Sequence, residues 1–377
     1  GGAALLPEGR PARFRFDRMR GDIELTPPVL KNRKLEIDAY GGRLTGATTL
    51  TWDNGWRLEG RLNSHELDSA ALLVDMLHKK AVSGALSGET AFQFSGESLA
   101  DIFRQPAVRG RLQLTAGSIY HFPNGAPLFY FDEAQSRFDL SPTALENNDI
   151  TISAYGGRIS GSSTLQWTPA WRLRANLEAR NLDSAALLEH IADEKIISGE
   201  FSGQAKLTLA GQSLPGMLNT PRIEGRFHFQ DGIFFKADLE KASAKPSGHG
   251  STTGQTAFQE FSGKTHIEEG HINIEDIRLV SAAMQTSGDI AMDRERRLQG
   301  QLTLGIRNTA ILTSVPMTVS GTAEDPHLRP SNTVLLGGVV GTTLLGPGVG
   351  TAVGIKVGEG VDRIISAIAK EEKTRQP

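Results

Sequence analysis

Residues 35–62, LEIDAYGGRLTGATTLTWDNGWRLEGRL, return at 150–177 as ITISAYGGRISGSSTLQWTPAWRLRANL. Tyr40-Gly41-Gly42-Arg43 becomes Tyr155-Gly156-Gly157-Arg158, and Trp52 and Trp56 become Trp167 and Trp171, each 115 positions later. The same offset carries Phe14 and Phe16 onto Phe129 and Phe131, and the run 67–73 onto 182–188. No insertion or deletion interrupts the match over roughly a hundred residues, so the chain is an internal repeat and must fold as one. Within each copy the residues alternate. Leu44, Gly46, Thr48, Leu50 and Trp52 hold one parity and Arg43, Thr45, Thr49 and Thr51 the other; Trp56, Leu58, Gly60 and Leu62 alternate with Arg57, Glu59 and Arg61. Successive side chains of a strand point to opposite faces. Each copy is therefore predicted to be a ribbon with one apolar and one polar face.

The expected order in a unit is strand, turn, glycine corner, two long strands, helix, two strands, short helical turn and strand pair. Asp68 or Ser69 caps the helix and Leu67 staples it. Leu72, Leu73, Val74 and Leu77 form its buried side, with Leu187, Leu188 and Ile191 in the second copy. Helices this short close an end of the sheet or cover its apolar face. Ser98-Leu99-Ala100-Asp101 has the capping-box pattern, and Pro106 stops that turn. A third, eroded copy runs through Ile272, Ile274, Ile277 and Leu279, then Met284, Thr286, Gly288, Ile290 and Met292, then Leu298, Gly300, Leu302, Leu304 and Ile306. The polar run KASAKPSGHGSTTGQT at 241–256 cannot bury a core and reads as a flexible excursion. The chain thus divides into repeats at 1–120 and 121–240, a Ser/Gly-rich excursion at 241–257, a degenerate repeat at 258–330 and a tail at 331–377.

The tail carries LLGGVVGTTLLGPGVGTAVGIKVG at 335–358. Gly346, Gly350, Gly354 and Gly358 recur every four residues, which on a helix makes a small-residue side for close contact in membranes. Ile364 and Ile368 belong to a terminal amphipathic stretch. Three readings stay open: an extension packed on the last strands, a hairpin or helix touching a bilayer or membrane partner through these residues, or a span interrupted by Pro347.

Signatures of catalysis are missing. The chain has no cysteine, which removes thiol nucleophiles and thiolate metal sites, and it has no Gly-x-Ser-x-Gly, His-Glu-x-x-His or phosphate-binding loop. Of its nine histidines only His266 and His271 are close-set, across the predicted turn Glu268-Glu269-Gly270, and two solvated strand ends account for them. Asp68 and Asp183 are explained as caps, the Gly-Gly pairs as a corner or bulge, and Arg43 and Arg158 as solvated charges. A net charge of -3 and a pI near 6.4 give no expectation of nucleic acid. The sequence reads as a non-enzyme without a cofactor.

Ile197-Ser198-Gly199-Glu200-Phe201-Ser202-Gly203, then Leu207-Thr208-Leu209-Ala210-Gly211, then Ile223-Glu224-Gly225-Arg226-Phe227-His228-Phe229-Gln230-Asp231-Gly232-Ile233 resemble the carboxyl-terminal region of AsmA-like proteins. Gly270-His271-Ile272-Asn273-Ile274, Gly288-Asp289-Ile290 and Val319-Ser320-Gly321 through Asp325-Pro326-His327-Leu328 are similar to that family's closing strands. The resemblance covers about 35–330; the excursion and the tail depart from it. It implies membership of the repeating β-groove, bridge-like lipid-transfer superfamily. The implied fold is mainly β with short helices, an elongated, twisted antiparallel sheet curled into an open apolar groove. The implied place is the periplasm of a Gram-negative envelope, with an inner-membrane anchor in an amino-terminal segment upstream of this chain. Residues 1–7 have no basic start or long apolar core, so they are not a signal peptide. The implied role is carriage of phospholipid between inner and outer membranes. Acyl chains would lie on Leu44, Leu50, Trp52, Trp56 and Leu58, on Ile159, Leu165, Trp167, Trp171 and Leu173, and on Ile290 and Leu302. Two rivals remain: a scaffold for outer-membrane proteins that binds polypeptide at sheet edges, and a surface module whose apolar faces close as a sandwich.

Overall fold

The computed structural model describes residues 14–78, 80–99, 101–120, 126–192, 197–213, 216–217, 221–235, 255–282, 284–308, 311–322 and 326–331. The tail expectations, with Gly346, Gly350, Gly354, Ile364 and Ile368, lie outside them. The first copy contains β1 (Arg18–Thr26), β2 (Val29–Ala39), β3 (Gly42–Thr51), β4 (Trp56–Asp68), α1 (Ser69–Leu77), β5 (Val82–Gly96), a 3₁₀ turn (Ile102–Arg104) and β6 (Pro106–Tyr120). The second repeats it as β7 (Pro127–Leu140), β8 (Ala144–Ala154), β9 (Gly157–Gln166), β10 (Trp171–Asp183), α2 (Ser184–Ala192), β11 (Ile197–Gly211) and β12 (Arg222–Phe235). Then come β13 (Gln255–Glu268), β14 (His271–Val280), β15 (Met284–Met292), β16 (Leu298–Asn308), β17 (Ile311–Gly321) and β18 (Pro326–Pro330).

From β1 to β8, and again from β11 to β18, each strand pairs antiparallel with its chain neighbour. No register joins the two ends of either run, so among the described residues these are open antiparallel sheets and not barrels. The chain forms two compact units. Unit 1 holds β1 to β9 and the first half of β10; unit 2 holds residues 155–157 and everything from Asn176 on. The division ignores the repeat boundary at 120, because the β6–β7 ladder runs across it from Val108↔Leu140 to Tyr120↔Pro127.

Local chemistry explains the turns. The glycine corner is a two-residue hairpin: Tyr40 and Gly41 have φ of 49° and 73°, Tyr155 and Gly156 48° and 74°, and Glu269 and Gly270 49° and 80°. Positive φ at both positions matches the right-handed twist of the flanking strands. Two strands were expected after the helix, but β5 is one 15-residue strand. Gly84, at φ 137°, makes a bulge within it rather than a turn. The strands after the excursion also start earlier than expected, at 255 and not 258. Gln255, Thr256 and Ala257 already belong to β13, with Thr256 opposite Phe234 and 2% exposed; residues 241–254 lie outside the described residues.

The helices are pinned as the caps predict. Asp68 accepts from the backbone N–H groups of Ala70 and Ala71 at 2.9 and 3.1 Å, and Asp183 from those of Ala185 and Ala186 at 2.9 and 3.2 Å. Ser69 donates to the Gly84 carbonyl and Ser184 to that of Gly199, tying each helix to the bulge of the next strand. Leu67 and Leu182 are buried beneath them. Val74, expected on the buried side, is 42% exposed, while Leu72 and Leu73 are half-buried.

Unit 1 buries apolar residues such as Ile37, Leu67, Ile102 and Phe131, but the contiguous dry core lies outside it, in unit 2. Rows such as Phe229↔Phe261↔Leu279 and Ile267↔Ile272↔Met292↔Leu298 cross its strands. Leu304, Met317 and Val319 at its centre are 0% exposed. Phe227 and Phe261 lie 5.0 Å apart and Phe234 and Phe258 4.6 Å apart, ring centre to ring centre. Ile290 and Leu302, expected on a free apolar face, are core residues at 4% and 2%, although Gly300 stands beside Ile290 and Gly288 beside Leu302. Leu304→Ala should therefore cost about 2–5 kcal/mol, and Leu50→Ala, on the half-exposed face of unit 1, markedly less. Chemical denaturation of both variants checks this.

Candidate functional site

The apolar face of unit 1 can be read row by row from its registers. One row is Leu30↔Leu50↔Leu58↔Phe94↔Pro106. The next is Asn32↔Thr48↔Gly60↔Phe92↔Val108↔Leu140↔Leu145. A third is Leu35↔Gly46↔Leu62↔Thr90↔Gly110↔Phe138. Every residue of these three rows is half-buried: none is fully covered and none stands free in water. Leu44, Trp52, Trp56, Ile159, Leu165, Trp167, Trp171 and Leu173 share that condition. The structure thus brings ten of the twelve expected lining residues into unit 1 and leaves Ile290 and Leu302 in the core of unit 2.

Three phenylalanines on this face lie over glycines on the neighbouring strand. A Cβ on Gly60 would meet the Phe92 ring at 2.7 Å, one on Gly110 the Phe138 ring at 3.1 Å, and one on Gly117 the Phe131 ring at 2.2 Å. The missing side chain is filled by a ring laid down on the sheet. The face is consequently oily but low. Periodicity had identified the Trp strands only; Phe92, Phe94, Val108, Phe138 and Leu140 join them through register, which no single strand reveals.

Short elements bound the band at both ends of the strands. At the Trp end, Trp52 and Trp56 stack with ring centres 5.9 Å apart and Trp167 and Trp171 lie 6.3 Å apart. The Trp167 indole N–H donates to the Pro142 carbonyl at 2.8 Å. The 3₁₀ turn sits against Gly96, where a Cβ would meet the Ile102 nitrogen at 2.7 Å. It buries Ile102 and sets Phe103 5.3 Å from Phe94. The Asp101 N–H donates to Ser98 Oγ at 3.3 Å, one half of the expected capping box; the other half is replaced by a bond from the Ser98 hydroxyl to the Asp101 carboxylate at 2.6 Å. A cavity of about 610 Å³ opens beside Trp56, where Asp53, Arg57, Asp101 and Arg104 face it. At the other end stands α1. Its Asp75 accepts from the Tyr40 hydroxyl at 3.0 Å and pairs with Arg15. Burial, the largest cause, raises the Tyr40 phenol above its ordinary value.

Polar groups on the band are few. Asn147 donates to Ser163 at 3.1 Å, whereas its first-copy equivalent Asn32 has a buried carbonyl oxygen with no partner among the described residues. The opposite face carries the charges, among them Arg43, which pairs with Asp38 at 2.9 Å, and the exposed Arg158. His266 lies 3.3 Å from Glu268, and His271 is exposed at the next strand's start. Among the described residues no group of His, Asp or Glu side chains stands ready to hold a metal ion. No helix among them is long and apolar enough to cross a membrane. The arrangement offers an adhesive apolar surface, with no nucleophile and base in reach of each other on the band.

No protein-family model, no curated protein and no solved structure matches the chain. The geometry itself yields one test. If Phe92 packs on Gly60 as described, Gly60→Ala destabilises by about 1–3 kcal/mol through overpacking. Combining it with Phe92→Ala should then cost less than the two single changes summed. Strict additivity in denaturation would show that the two positions are not coupled.

Proposed function

We propose that this chain is a periplasmic segment of an AsmA-like envelope protein that carries phospholipid acyl chains along the apolar face of unit 1. The observation that carries the reading is that band of half-exposed Leu, Phe, Trp, Val and Ile residues, bounded by helical elements at both strand ends. Soluble chains rarely leave a contiguous apolar surface of this kind without a partner. The resemblance of the strand motifs to AsmA-like proteins favours lipid as that partner. So does the chemistry of the band, since methyl, methylene and aromatic groups recognise hydrocarbon and little else.

The mechanism is passive. Each methylene taken out of water contributes about 0.8 kcal/mol, so an acyl chain is held firmly. A shift along the rows exchanges leucine and phenylalanine contacts for equivalent ones, so the barrier to sliding is low. The head group stays in water at the strand ends, where the cavity beside Trp56 presents Arg57 and Arg104.

Native mass spectrometry of the purified chain should find bound phospholipid. Leu50→Asp combined with Leu165→Asp should abolish it while the far-ultraviolet circular dichroism stays that of a β protein. Lipid retained by that folded variant, or none on the unaltered chain, would overturn the reading.

A further inference from the structure

β1 is a strand edge waiting for a partner whose pattern is written elsewhere in the molecule. In unit 1 the ladder of β1 engages β2, and all nine β1 residues are exposed. Its equivalent 115 residues on is β7, which pairs with β8 in the same way: Arg18↔Asp38 and Leu25↔Leu30 correspond to Glu133↔Ser153 and Leu140↔Leu145. The difference is on the other side. β7 also pairs with β6, along Val108↔Leu140, Gly110↔Phe138, Leu114↔Ala134 and Gly117↔Phe131. Among the described residues no second register is found for β1, and the difference is visible in equivalent side chains. Phe131 is 5% exposed under its β6 partner, while Phe16 is 51% exposed. Ile23 and Leu25 are 68% and 59% exposed, whereas Phe138 and Leu140 are half-buried. An open edge with apolar side chains is a template for strand addition.

We infer that β1 takes up one further antiparallel strand, and that this strand has the pattern of β6. The register of β6 on β7, transferred to β1, makes the chemistry explicit. Gly117 would face Phe16, Gly110 would face Ile23 and Leu112 would face Gly21, so that small residues meet large ones on the apolar face. On the polar face Arg109 would lie opposite Glu24, which already pairs with Arg33 at 2.6 Å, and Arg111 opposite Asp22, so that each arginine meets an acid. On β7 the same arginines meet Asp139 and Arg137, so β1 is the better electrostatic match for a β6-like strand than β7 itself. The occupant is therefore an extended polypeptide segment with glycine or aliphatic residues on one parity and arginines on the other. This inference does not depend on what covers the apolar band.

A fluorescent synthetic peptide of the β6 sequence, residues 106–120, added to the intact chain tests it. Saturable binding is expected, with hydrogen-exchange protection appearing in β1. Glu24→Arg should weaken binding up to about fivefold, the range of a cross-strand charge pair, and Arg109→Glu in the peptide should restore it. The proposal fails if no saturable binding occurs. It fails equally if protection changes only in β5 and β7, which would mean that the peptide replaces the resident β6, or if Glu24→Arg leaves affinity unchanged.

Discussion

An antiparallel ladder in which each strand pairs with its chain neighbours satisfies the backbone but leaves the fate of its apolar side undetermined. The two units resolve this in opposite ways: glycine interrupts rows in both, such as Ile290 and Gly300 in unit 2, yet only unit 2 covers them. In unit 2 a row reads Ile267, Ile272, Met292, Leu298, with a large side chain at each strand, and the result is a core at 1–5% exposure. In unit 1 a row reads Leu35, Gly46, Leu62, Thr90, Gly110, Phe138, where glycine and threonine interrupt the large residues. The rows of unit 1 stay half-buried, and a flexible hydrocarbon chain can follow such an uneven surface.

The same economy of side chains explains the glycine–phenylalanine pairs. Each ring lies flat over a missing Cβ, covering backbone without raising the surface. The boundary elements of unit 1 then fix the length of the band: Asp68 holds α1 by its first turn, and Ile102, 1% exposed, anchors the turn at the opposite strand end.

Much of this was legible in the sequence because strand alternation is a local signal. The parity of Leu44 to Trp52 and of Trp56 to Leu62, the caps at Asp68 and Asp183, and the strands from Met284 to Leu304 all appear in the structure as read. What alternation does not carry is how far a face is covered. Ile290 and Leu302 have the same parity pattern as Leu44 and Leu58, yet they are core residues at 4% and 2%. Nor does it distinguish a glycine that turns the chain from one that bulges it, so β5 was read as two strands where Gly84 only shifts the register. Val74 was misplaced for a related reason: a nine-residue helix offers too few turns for its spacing to define which flank is buried.

All four tryptophans of the chain, Trp52, Trp56, Trp167 and Trp171, lie at the Trp end of the unit 1 band. That makes their fluorescence a reporter of hydrocarbon at this one place. Phospholipid brominated along its acyl chains, loaded onto the purified protein, should quench that emission well beyond the same lipid without bromine. Bound brominated lipid that leaves the four tryptophans as bright as before would place the acyl chains elsewhere and contradict the account.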